Sequence, residues 1–174
     1  MEEDWSEGSI YSGDPARDEL VKGAMGRIGR GKPVVIINLL RFREDADYQG
    51  LTHALASSLQ TGEPPPSASG EEAYFKRYIP AYNEQCQKWF GDEHGKGQKI
   101  LCVSKGMLPL LNYGRVPEEQ GDANYWHAAI VLQYPNFERA MEFQKSDAYW
   151  GAAYHRAAAL EDNVAWVTQP MQVD

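Results

Sequence analysis

Val34-Val-Ile-Ile-Asn-Leu-Leu-Arg-Phe42 is the stretch that decides the fold. Apolar, often β-branched residues stand at successive positions, so a strand built from them is apolar on both faces and needs cover on both sides. Tyr125-Trp-His-Ala-Ala-Ile-Val-Leu-Gln-Tyr134 repeats the pattern. Lys99-Ile-Leu-Cys-Val-Ser-Lys105 reads as a strand ended or bulged by Gly106, with Pro109 weakening any extension, and Asn163 to Thr168 makes a last strand. Between these runs lie helical signals. Phe75, Tyr78, Ile79, Tyr82, Cys86, Trp89 and Phe90 recur at helical spacing, and Pro80 is expected to kink or divide their helix. Asn136 caps another helix, and Ser146 or Asp147 recaps a piece that runs to about Leu160.

Outward from these elements, Asp14-Pro15 opens an extra N-terminal helix over residues 14–30, which should stop near Gly29 or Gly31. Residues 1–13 read as a flexible N-terminus, and residues 14–170 as a single domain. An inserted loop spans about 44–70. Its Thr61-Gly-Glu-Pro-Pro-Pro-Ser-Ala-Ser-Gly70 offers too little apolar surface to offset ordering, so it is expected to be mobile. After the first helix the order is β-α-β-β-α-β. With right-handed crossovers this gives an α+β fold of ferredoxin-like type, a four-stranded antiparallel sheet with helices on one face. The two-sided apolarity of the first and third strands requires cover for the other face; the same face of a second copy supplies it more readily than the alternative, the extra N-terminal helix, since one helix of about four turns rarely covers four strands. A homodimer follows as the expectation.

Composition bounds the function. A chain of 174 residues is one ordinary domain. The formal charge of −8 opposes nucleic acid and anionic membrane as partners, because surplus Lys and Arg bind both. No apolar run is long enough to cross a bilayer, and the first residues are acidic, so a cytoplasmic location is expected. Cys86 and Cys102 lack metal-ligand spacing and read as reduced, mostly buried thiols; no histidine pair has such spacing either, so neither metal nor cofactor is expected. Gly26-Arg-Ile-Gly-Arg-Gly31 precedes a strand instead of following one, which suits a helix exit and not a dinucleotide fingerprint.

Four stretches together resemble the DUF1330-type group of the dimeric α/β-barrel superfamily. They are Asn38-Leu-Leu-Arg-Phe, the Tyr74–Tyr78 helix start, Ile130-Val-Leu-Gln-Tyr-Pro-Asn-Phe, and Ala148-Tyr-Trp-Gly-Ala-Ala-Tyr-His-Arg-Ala-Ala-Ala-Leu-Glu-Asp162. The resemblance covers roughly residues 33 to 170. It implies a dimeric α/β barrel much more strongly than any chemistry, since the superfamily includes cofactor-free oxygenases, isomerases, cyclases and haem enzymes.

Five residues could carry chemistry. Asn38 interrupts an apolar run, so its amide either bonds a neighbouring backbone or holds a ligand carbonyl or enolate oxygen. His127, placed by alternation in the third strand, is either a proton-accepting base or a core histidine bonded to backbone. His155 and Arg156 lie near a helix end. They serve there as structural charges, with Arg156 paired to Glu161 or Asp162, or stand at a pocket mouth as proton carrier and anion clamp. Tyr78 lies on a stripe with Tyr74 and Tyr82 that fits the core or a pocket wall. The expected function is a small-molecule pocket protein, a cofactor-independent enzyme for proton transfer, cyclisation or oxygenation of an enolisable aromatic or polyketide-like molecule. The alternative is a non-catalytic ligand-binding or stress-associated homodimer.

Overall fold

The computed structural model describes residues 23–24, 26–28, 31–49, 51, 67–91, 97–106 and 125–170. Four strands, β1 (Val34–Phe42), β2 (Lys99–Lys105), β3 (Ala128–Tyr134) and β4 (Leu160–Thr168), form one antiparallel sheet of order β2-β3-β1-β4. This is the ferredoxin-like arrangement. β1 sits in the interior, pairing Asn38 with Ile130 on one side and with Ala165 on the other.

The helices cover one face. Ser69 accepts a hydrogen bond from Glu72 N at 3.2 Å and so starts a continuous helix: α1 (Gly70–Glu72), a π segment (Ala73–Tyr78) and α2 (Ile79–Phe90). Pro80 stands at the change from π to α, with the Ile79 N–H bonded five residues back to the Tyr74 carbonyl. A proline ring clashes with the carbonyl four residues before it, and the wider π turn relieves that clash. The expected kink is thus a local widening. α3 (Phe137–Lys145) and α4 (Asp147–Ala159) carry the caps read from the sequence: Asn136 accepts from Arg139 N at 2.7 Å, and Ser146 accepts from Tyr149 N at 3.3 Å. α4 passes into β4 without a loop.

Val34, Ile36, Leu40 and Phe42 of β1, with Ala128, Ile130 and Tyr134 of β3, point to the helices and are buried. They meet Tyr74, Tyr78, Tyr82, Phe143 and Tyr149 in two adjoining clusters. Tyr82 and Tyr134 share a hydroxyl–hydroxyl hydrogen bond inside this core. Tyr82→Phe should therefore cost about 1–3 kcal/mol, because it leaves the Tyr134 hydroxyl buried without that partner. Replacing both tyrosines by phenylalanine should cost less than Tyr82→Phe alone, and urea unfolding of the two variants measures the difference.

The opposite face is open. Ile37 and Leu39, paired across the sheet with Val131 and Ala129 and with Trp166 and Val164, form an apolar surface on which no described element packs. Trp166 is 55% exposed. Of the expected N-terminal helix, Gly23, Ala24, Gly26, Arg27 and Ile28 are described; Ala24 and Ile28 pack beside Val34, Ile36 and Tyr134, on the helix side of the sheet. The turn that follows uses Gly31 in the left-handed region, φ 69°, as a helix exit requires. The rest of that helix, residues 1–13 and most of the 44–70 insertion lie outside the described residues.

Several expectations need correction. The sheet is not closed into a barrel: β2 and β4 are its two edges, and four strands are too few to curl into a closed cylinder. β3 begins at Ala128, three residues later than the apolar pattern suggests, and β4 begins earlier, at Leu160. Cys86 is buried with its thiol pushed up to about 12 by burial, whereas Cys102 is exposed on edge strand β2. The end of the insertion is also fixed: Asp45 bridges to Ser69, Ala46 N donates to Ala68 O at 2.9 Å, and Gly70 is buried. No described helix is long and apolar enough to cross a membrane.

Candidate functional site

Because β1 and β2 run opposite to β3 and β4, the C-terminal ends of the first pair and the N-terminal ends of the second lie at one end of the sheet. Arg41, Lys105, His127, Glu161 and Asp162 gather there. On the open face, Arg41 Nε donates to Glu161 Oε2 at 2.9 Å and its guanidinium lies 4.5 Å from the Tyr125 ring centroid; Tyr125 Oη donates to Asp162 Oδ2 at 2.5 Å. The two carboxylates that the sequence offers to Arg156 are thus held by Arg41 and Tyr125.

From β1 the chain runs over the last turn of α4, tied by Arg43 N to Ala159 O at 2.9 Å and Asp47 N to Ala158 O at 3.0 Å. This path sets Tyr48 against α4. Its hydroxyl lies 3.0 Å from His155 Nδ1 and accepts from Arg77 of the π segment, also at 3.0 Å. The Tyr48 ring packs 5.0 Å from Tyr154 and edge-on to His155. His155 is half-buried, and burial, then the Arg77 charge, hold its imidazole below the ordinary value of 6.5. Both causes favour the neutral ring, whose lone pair can accept a proton.

The other predicted residues have different surroundings. Arg156, one position on, is buried beside Tyr78, whose phenol burial pushes well above the ordinary range against the opposing effect of Arg156. Asn38 points to the helix side and donates from Nδ2 to Ile130 O at 3.4 Å. His127 lies just before β3 and is exposed; its backbone N donates to Leu40 O at 2.8 Å, and its Nδ1 accepts from Phe42 N at 3.0 Å. Tyr78 and Arg156 come together, while Asn38, His127 and His155 each hold separate partners. Tyr48 and Arg77 escaped the sequence reading. Tyr48 stands in a polar loop with no periodicity, and Arg77 is masked by the aromatic stripe around it.

The His155 environment sets a pH dependence. Below about pH 6.5 the unfolded chain takes up a proton that folded His155 resists, so this stability is fully present above that range and is lost as pH falls. The urea midpoint should therefore drop between about pH 7.5 and about pH 5.5, and His155→Gln should drop less. Equal losses in the two proteins would remove the assignment.

The sequence matches no protein-family model and no curated protein. Among solved structures it is similar to the RPA0582 protein of Rhodopseudomonas palustris, a protein of unknown function. That structure is 21% identical, with a TM-score of 0.60 over 89% of this chain and 94% of that one. The methylated form of RPA0582 gives 21% identity and a TM-score of 0.62, covering 88% and 91%. A dimeric protein of ferredoxin-like fold from Bacteroides fragilis is more remote, with 13% identity and a TM-score of 0.36 over 79% of this chain and 95% of that one. The likeness to RPA0582 is one of fold, the ferredoxin-like arrangement that the sequence resemblance implies.

Proposed function

We propose that this protein is a cofactor-independent proton-transfer enzyme for a small enolisable molecule, with His155 as the proton carrier. The observation that carries this reading is the half-buried imidazole set against Tyr48 and Arg77. With Nδ1–H donating to Tyr48 Oη, the lone pair sits on Nε2 and accepts a proton from carbon. The Arg77 guanidinium then stabilises the enolate by charge, the part first given to Arg156. Tyr78 and Arg156 support α4 from the core side, and Asn38 stays with the sheet. The DUF1330-type resemblance and a homodimer joined through the open sheet face belong to the same reading, the dimer supported by the apolar surface around Ile37, Leu39, Val131 and Trp166.

Deuterium incorporation into a panel of aromatic ketones and 1,3-dicarbonyls, followed by NMR, tests the chemistry. The protein should accelerate exchange for at least one member, and His155→Ala should slow that exchange about 100-fold or more. No acceleration for any member, or full activity in His155→Ala, would overturn the assignment. A second reading, ligand binding without turnover, is favoured by the side chains of Asn38 and His127, both of which are used on backbone groups. It predicts a ligand retained in native mass spectra together with no exchange.

A further inference from the structure

On the other flank of the π segment, Phe75 packs edge-on to Phe42 at 5.6 Å, and the Phe42 ring lies 5.9 Å from that of His127. Lys105, at the end of β2, sets its ammonium 5.3 Å from the Phe75 centroid and pairs with Glu71. Because His127 Nδ1 accepts the Phe42 N–H, the proton of the neutral ring must sit on Nε2. The ring is exposed, and among the described residues Nε2 has no hydrogen-bond partner. Gly106 N donates to His127 O at 3.1 Å, so the end of β2 that carries Lys105 lies beside His127, and an N–H donor and a cation flank the same aromatic pair.

We propose that His127 and Lys105 form a second binding site, separate from His155, for the carboxylate of a planar aromatic acid whose ring rests on Phe75, which is half-buried and backed by the buried Phe42. His127 Nε2–H donates to one carboxylate oxygen and the Lys105 ammonium meets the other, while the flat ring packs against the open side of Phe75. Glu71 competes for Lys105. That ion pair joins two exposed side chains and contributes little, so the incoming carboxylate displaces Glu71 into water. The same competition gives the site a distinctive signature, since removing the Glu71 charge should tighten binding.

Titration of the full chain, with its histidine rings isotope-labelled, uses benzoate as the probe; acetate supplies the charge without the ring, and benzyl alcohol the ring without the charge. Benzoate should shift the His127 ring resonances saturably and more tightly than either control. Lys105→Met should weaken the effect, and Glu71→Gln should strengthen it about two- to fivefold, the ratio that corresponds to an exposed ion pair. Both substitutions are at exposed positions. Equal binding of acetate and benzoate, no gain in Glu71→Gln, or no saturable shift at His127 would overturn the proposal. A benzoate response at the His155 ring alone would also overturn it while leaving the His155 reading intact.

Discussion

Replacing Gly70 by alanine should destabilise the fold by about 3 kcal/mol or more and lower the thermal midpoint by roughly 10 °C. A methyl group at this position would stand 2.4 Å from Ala159 O, 2.5 Å from Arg43 O and 2.7 Å from Arg43 N. All three are backbone atoms, so no side chain can swing aside. They are also tied to one another, since Gly70 N donates to Arg43 O at 3.1 Å and Arg43 N donates to Ala159 O at 2.9 Å. Making room would pull the start of α1, the end of β1 and the α4–β4 junction apart together. Gly151→Ala is the matched control: an added methyl there meets nothing within 4 Å, and an exposed helical glycine should gain up to about 1 kcal/mol. Circular dichroism melts of the two variants should move in opposite directions, and an unchanged midpoint for Gly70→Ala would refute the close approach.

The second large effect is on assembly. Leu39→Asp places a carboxylate in the open face beside Ala129 and Val164, its cross-strand neighbours. In a single copy that carboxylate reaches water, so the variant should stay folded. Against a second copy it would be desolvated, which costs several kcal/mol and should weaken association about 100-fold or more. Sedimentation velocity at micromolar concentration should show a dimer for the parent and a monomer for Leu39→Asp. A monomeric parent, or a variant that still dimerises, would refute this use of the face.

Local signals made much of the fold legible. β1 and β2 have the bounds that their apolar and β-branched runs suggest, and Asn136 and Ser146 cap the helices because each side chain needs only an amide three residues ahead. The pattern failed where tertiary contacts take over. Tyr125 through His127 continue the apolar alternation, yet Tyr125 turns to Asp162 and the His127 ring takes the Phe42 amide, so the regular ladder stops at Ala128. The Tyr48–Arg77–His155 cluster joins three segments far apart in sequence. No periodicity within any one of them reports the others. Apolarity on both faces of β1 showed that cover is needed; it could not show that a four-stranded sheet stays open.

The position of β1 also governs how the chain can be made. Its two neighbours are β3 and β4, so Val35 lies 133 residues from the Thr168 hydroxyl that donates to its carbonyl. Of the described strands β1 is made before the others and must wait for residues 128–168 before the pairings on its two edges can form. A sheet closed by such distant contacts forms slowly, and until then its most apolar strand has two free edges. Among the described strands Val34–Phe42 is therefore the one most exposed to aggregation in the nascent chain, and a ribosome stalled before residue 128 would hold it out without either of its native partners, β3 and β4.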